Sequence, residues 1–135
     1  MMLPAEGRWV LLLHEVPPSD TELGQRGTHW DLMFEDKECL WTWSIQKLPP
    51  GSIEAALRLP NHRKRYLDYE GEISNGRGSV TRVARGHFQR LNWEQDNVFQ
   101  LIVDWPLLKS IVRFQPVTDD YWRIDWSSTG EPSAT

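Results

Sequence analysis

The residues with chemistry to offer are His14, which ends the stretch LLLH, and the pair His29 and Asp31 in GTHWDLMFED. Read as a strand, the second stretch puts His29 and Asp31 on one face and Trp30, Leu32 and Phe34 on the other, because strand side chains alternate. A meander that pairs neighbouring strands brings His14 beside them. Two neutral imidazoles and a carboxylate on one face suit a borderline or hard divalent ion such as Mn²⁺, Fe²⁺ or Zn²⁺, and leave positions open for a substrate. Spacing alone favours the plainer alternative, a solvated strand face with a hydrogen bond between neighbours.

A second cluster is NHRKRYLDYEG, in which His62, Arg63, Lys64, Arg65 and Tyr66 resemble a phosphate-handling patch. From Ala55 to Leu91 the basic residues are Arg58, Arg63, Lys64, Arg65, Arg77, Arg82, Arg85 and Arg90, against Asp68, Glu70 and Glu72. The net charge of −4 argues against a protein that coats nucleic acid over its whole surface, but a local basic face is all that a phosphate site needs. Taken by itself, the charge run reads as solvated loops. SNGRGS lacks the lysine and the following helix of a phosphate-binding loop and reads as a turn. Neither DWSSTG nor TWS has a partner histidine, so a Ser-His-Asp hydrolase is poorly supported. His87 reads as structural, Glu15 as facing away from His14, and Glu70 as fixing a turn or a basic neighbour.

The elements that must position these residues are mainly strands. RWVLLLHEV is a strand, followed by the long polar loop PPSDTELGQRGT. HWDLMFED and CLWTWSIQ form a hairpin turned by EDKE. LPPGSIEAALRLPNH is either a short helix capped by Ser52 or a strand stopped by Pro60. The glycines of the stretch from Tyr66 to Leu91 mark turns between short strands. NVFQLIVDW and YWRIDW are strands, and PLLKSIVRFQPV is either a helical turn or a strand. This pattern predicts a mostly β fold, a compact antiparallel β-barrel with one or two short helices. The 135 residues suit one domain over residues 1–126, with the polar SSTGEPSAT, residues 127–135, as a disordered tail. Most of the eight tryptophans are expected in the core. The single cysteine, Cys39, fits a reducing compartment. WVLLL is too short for a signal peptide and no run approaches the roughly 18 apolar residues of a membrane span. The expected setting is therefore the cytoplasm, with no membrane partner.

Taken in order, LLLH, HWDLMFED, LWTWSIQKLPPG, LRLPNHRKRYLDYEGEI and NGRGSVTRVARGHF resemble the 3′-phosphoesterase domain of bacterial DNA ligase D and its small stand-alone relatives. The resemblance runs from Arg8 to Phe88, and more loosely through FQLIVDW and YWRIDW. Its specificity lies in the combination of HxD on a strand, a tryptophan strand, His-x-x-x-Tyr and DYEG. It implies a manganese-dependent phosphoesterase that trims 3′ ends in DNA repair, removing a terminal ribonucleoside and then the 3′-phosphate. Carried over, His14, His29 and Asp31 would be metal ligands, with Mn²⁺ as the metal and Zn²⁺ as the alternative. His62 and Tyr66 would contact the scissile phosphate. Nucleic-acid 3′ ends would be the partner, alongside a DNA ligase, a polymerase or another end-joining protein. The family places an arginine two residues after the metal-binding aspartate, where this chain has Met33; a further family arginine falls near Glu54, with Arg58 close by. Arg58, Arg63, Arg77 or Arg82 could supply the missing phosphate donor from elsewhere. Met33 also favours an alternative, a metal- or nucleic-acid-end-binding module without turnover.

Overall fold

Apolar alternation along each strand builds the fold. The computed structural model describes residues 2–105 and 108–132. Its strands are β1 (Glu6–Glu15), β2 (His29–Glu35), β3 (Leu40–Ile45), β4 (Gly51–His62), β5 (Gly71–Glu72), β6 (Ser79–Trp93), β7 (Phe99–Trp105), β8 (Leu108–Pro116) and β9 (Tyr121–Pro132). The helical pieces are one short helix, α1 (Glu22–Arg26), and two 3-10 turns, Lys64–Leu67 and Gln95–Asn97. All nine strands form one antiparallel sheet in the order β1-β2-β3-β4-β9-β8-β7-β6-β5, and β1 also pairs with β6 from Glu6↔Gln89 to Glu15↔Ser79. Eight strands thus close into a ring, with β5 hung on β6, and the closure removes the exposed edges of β1 and β6.

One face of the strands fills the main core. Trp9 and Leu11 of β1, Leu32 and Phe34 of β2, Trp43 of β3, Phe99 and Leu101 of β7 and Phe114 of β8 are all buried there. Trp30, Trp41, Trp93 and Trp122 pack against the same cluster, so the tryptophans described serve mainly as core. The opposite face of β1 and β2 is also buried. Val10, Leu12 and Met33 form a second cluster with Leu40, Leu67 and Val80, and Tyr66, Tyr69 and Ile73 pack against it. The segment after β4 therefore lies over the outer face of the β1–β2 pair.

Several sequence expectations change. The segment from Gly51 to His62 is one strand that runs through Pro60. Leu59 pairs with Thr42 and His62 with Leu40, with a register shift between them. Pro60, which has no N–H to give a ladder, falls in that irregularity. Ser52 caps no helix; its hydroxyl donates to Asp125 Oδ1 at 2.5 Å. The expected short strands after Tyr66 are a two-residue β5 and one long β6. Gly86 sits inside β6, where a Cβ would lie 2.6 Å from the Asp104 carbonyl and 2.9 Å from Trp9 Nε1. Glycine there permits close approach rather than a turn. The polar loop after β1 contains α1, whose N-cap Thr21 accepts the Gly24 N–H at 3.0 Å. The open choice for PLLKSIVRFQPV resolves to strand from Leu108; Pro106 and Leu107 lie outside the described residues. The expected disordered tail is strand as far as Pro132, with Ser128 opposite Ser110. Its polar composition does not prevent pairing, because β8 supplies the ladder partners. Residues 133–135 of that expected tail lie outside the described residues.

Gly86→Ala is expected to lower the unfolding free energy by about 1–3 kcal/mol, as overpacking of a filled site does. Urea denaturation measures it. An unchanged midpoint would mean that β6 has more room against β1 and β7 than the register allows.

Candidate metal centre

Register sets the site. His14 and His29 are directly paired across β1 and β2, and Asp31 lies two residues along β2, opposite Leu12. Because side chains alternate, all three project to the outer face. That face is not solvated here: exposure is 7% for His14, 0% for His29 and 2% for Asp31. The plain solvated-face reading therefore fails. The two imidazole rings lie edge to face with centroids 4.9 Å apart. One ligand atom from each of the three residues fits within a 4.8 Å span, and this is the group of that kind found among the described residues.

Hydrogen bonds fix which nitrogen of each ring faces inward. His14 Nε2 lies 2.7 Å from the Arg77 carbonyl, and His29 Nδ1 lies 2.7 Å from the Gly27 carbonyl. A carbonyl only accepts, so both outer nitrogens carry protons. In the neutral rings the inner nitrogens, His14 Nδ1 and His29 Nε2, then present lone pairs. Each faces a carboxylate oxygen of Asp31, at 3.2 and 3.1 Å. Acceptors facing acceptors at this distance repel unless a cation lies among them. A proton on an imidazole meets that need, and so does a divalent ion. Backbone carbonyls that orient the far side of ligating histidines are what such centres require.

The charges agree with this geometry. Burial works to raise the Asp31 pKa, but the His14 and His29 hydrogen bonds hold it well below the usual carboxylate range. Burial works to lower the His14 pKa; Asp31 and the Arg77 carbonyl outweigh it and the pKa is raised.

Two turns make these carbonyl clamps. α1 ends at Gly27, with φ of 78°, whose N–H returns to the Leu23 carbonyl at 3.0 Å. The carbonyl of the same residue takes the His29 proton, so the long polar loop is part of the site. On the other side, SNGRGS is a turn as expected, but it acts through its backbone. Gly78 has φ of 91°, and a Cβ there would lie 1.9 Å from the Glu15 carbonyl. Only glycine lets the turn settle on the end of β1 and bring the Arg77 carbonyl to His14.

A cleft of about 1060 Å³ opens onto the triad. His62, Tyr66 and Arg77 of the sequence-predicted set line it together with His14, His29 and Asp31. His62 donates Nδ1–H to the Pro60 carbonyl at 2.8 Å, and its ring stands edge to face with Tyr66 at 6.1 Å. Arg58 and Arg82 are not among the lining residues. The Arg58 guanidinium donates to the Leu59 and Thr42 carbonyls at 2.6 and 3.3 Å and lies over the rings of Trp43 and Trp41, at 4.9 and 5.1 Å. It is held on its own strand pair. The Arg82 backbone N–H is taken by Glu70 Oε1 at 2.7 Å, so Glu70 fixes the chain there as expected. Met33 lines the cleft from within the apolar cluster, with 1% exposure. Sequence reasoning missed Arg26. It stands three residues before His29, and the one signal available was a cation beside a histidine in an overlong loop. Arg63 and Arg65, inside the NHRKRY cluster, also reach the cleft, whereas Lys64 turns to Glu35 at 3.5 Å.

The donor set therefore fits a divalent ion: two inward lone pairs and a buried carboxylate, held by backbone. The family model described as "DNA Ligase D 3'-phosphoesterase domain" matches residues 22–111. That span includes His29, Asp31, His62 and Tyr66; His14 precedes it and joins the group through the β1–β2 register. No curated protein matches the chain.

A pH dependence follows for the metal-free protein. His14, with its pKa raised above 6.5, contributes stability that is complete below 6.5 and is lost as pH rises through the raised value. Asp31, depressed from 3.8, contributes above 3.8 and loses its share as pH falls through the depressed value. Thermal melts without metal should show the triad's contribution at its fullest between pH 3.8 and 6.5. Added Mn²⁺ should raise the melting temperature more at alkaline than at acidic pH, because a metal needs the imidazoles unprotonated. A Mn²⁺ effect that ignores pH would remove His14 and His29 from the metal's ligands.

Proposed function

The chain belongs to the DNA ligase D 3′-phosphoesterase family, and from that premise we propose that it is a Mn²⁺-dependent phosphoesterase acting on nucleic-acid 3′ ends. The observation that carries the reading is the buried trio of His14, His29 and Asp31 with its inward lone pairs, opening on a cleft that holds His62 and Tyr66. When bound, the ion would be held by His14 Nδ1, His29 Nε2 and Asp31 and would supply Lewis acidity toward a phosphate oxygen. Zn²⁺ suits the same donors.

In this reading, hydrolysis adds a water oxygen to phosphorus, one proton of that water being released as the bond forms. It breaks the bond to the leaving oxygen, first the 5′ oxygen of a terminal ribonucleoside and then the 3′ oxygen of the remaining phosphate, which leaves with a proton. His62 gives that proton from Nε2, since its Nδ1–H is engaged with the Pro60 carbonyl. The Tyr66 hydroxyl orients the phosphate. Arg63 and Arg65, at the rim, draw in the nucleic-acid backbone. The closed ring of strands acts as a small barrel whose outer face carries the site. The proposed setting is DNA repair in the cytoplasm beside a ligase, polymerase or other end-joining protein, with which the single Cys39 agrees.

A second reading has Met33 behind it. Where the family carries an arginine, an apolar side chain is packed against Val10, Leu12 and Leu40. That favours a module that binds metal and nucleic-acid ends without turnover.

The deciding assay is a primer-template with a 3′-phosphate or a 3′-ribonucleotide, incubated with Mn²⁺. Wild type should release product, His29→Ala should not, and His62→Ala should be slower by roughly 10²–10⁴-fold. If wild type is as slow as His29→Ala yet binds the ends, the binding-module reading replaces the enzyme.

A further inference from the structure

The cations around the cleft are not equivalent. Arg77 donates Nε–H and Nη2–H to the Ser74 carbonyl and hydroxyl, at 2.9 and 3.2 Å. Arg65 lies over the Tyr69 and Tyr66 rings, at 4.4 and 5.6 Å. Arg63 is exposed. Arg26 differs from all three: its Nε is buried and has no hydrogen-bond partner. Among the described residues it makes no ion pair, not even with Glu22, four residues earlier on α1. The Nε is closed off from solvent, so an anion in the cleft is met by the terminal amino groups of the same guanidinium, which no carboxylate pairs among the described residues.

Arg26 is also held in place. The residue after it, Gly27, binds His29 through its carbonyl, and Thr28 Oγ1 accepts the Val16 N–H at 3.0 Å. The guanidinium hangs from a backbone tied, through the two residues after it, to His29 and to Val16 just past β1. It lines the cleft with His14, His29, His62 and Tyr66.

We propose that Arg26 is the phosphate-gripping residue of this cleft, supplying from α1 the guanidinium that Met33 does not supply from β2. The inference rests on the phosphoesterase reading for the identity of the anion as a 3′-terminal phosphate. The guanidinium meets the non-bridging oxygens, while the trio and His62 address the reacting centre.

The test is the binding of inorganic phosphate by the Mn²⁺-loaded full chain, by calorimetry, beside turnover of the 3′-phosphorylated primer-template. Arg26→Gln is expected to weaken phosphate binding roughly tenfold or more, the effect of a lost charged hydrogen bond. Arg26→Lys should recover part of it, as charge without the planar fork. Mn²⁺ affinity in Arg26→Gln should be unchanged or tighter, because a cation beside the site has been removed. Equal phosphate affinity in Arg26→Gln and wild type, or no phosphate binding by wild type, overturns the inference. So does a loss of Mn²⁺ affinity in Arg26→Gln, which would make Arg26 a support for His29 instead. If wild type binds phosphate through Arg26 but turns over no primer, the phosphoesterase reading falls and this one stands. If wild type turns over and Arg26→Gln matches it, only this one falls.

Discussion

The structure turns on one electrostatic constraint. Asp31 is buried between two imidazoles whose outer protons are already given to backbone carbonyls. Inside the trio, lone pairs meet lone pairs, and only a positive species among them makes the arrangement favourable. At low dielectric such a mismatch is expensive and its resolution correspondingly strong. The carbonyls that create the constraint come from Gly27 and Arg77, far apart in sequence, and each is delivered by a turn that relies on glycine. The site is therefore built from backbone as much as from side chains.

That constraint needs the β1–β2 pair to be buried on both faces. Trp9, Leu11, Leu32 and Phe34 face the ring's core, while Val10, Leu12 and Met33 lie under the segment that carries Tyr66, Leu67 and Tyr69. A strand pair with one wet face would leave Asp31 and its histidines in water, where their mutual attraction is screened. The cover does two jobs at once. It covers Val10, Leu12 and Met33 on the trio's own face, and through the 3-10 turn Lys64–Leu67 it carries Tyr66, with His62 just before it, to the mouth of the same cleft. Burial and assembly of the site are one packing event, driven by a cluster that contains no polar side chain apart from tyrosine.

Much of this was legible in the chain. Alternation in HWDLMFED placed His29 and Asp31 on one face, and a meander of neighbouring strands brings His14 to them across the long loop. What alternation could not say was whether that face meets water. Burial of the outer face comes from Leu67 and Tyr66, dozens of residues away, and no local pattern in β2 encodes it. Pro60 looked like a stop and was absorbed by a register shift; Gly86 looked like a turn and marks a close approach to Asp104 and Trp9. In both cases a residue's local preference was overridden by a partner strand. Arg58 and Arg82 drew attention as cations in the right stretch, but charge alone does not reveal direction. Arg58 lies over Trp43 and Trp41, and Arg82 does not line the cleft. Arg26, in a loop read only for its length, does.

On the proposal that Arg26 grips the phosphate, the methionine at position 33 is an exchange rather than a loss. Its side chain belongs to the cluster that seats Leu67, so it helps hold the turn that presents Tyr66. An arginine at that place would set a guanidinium among Val10, Leu12 and Leu40, weakening the anchorage of the cover to gain a charge at the floor of the cleft. On the Arg26 proposal, the long connection between His14 and His29 avoids that conflict. It lets α1 approach the cleft from the side, where its C-terminal turn is already committed to His29. A cation carried there shares the histidine's own anchor and leaves the apolar floor intact. On that proposal, the loop that carries Arg26 and the apolar side chain at position 33 serve one packing arrangement.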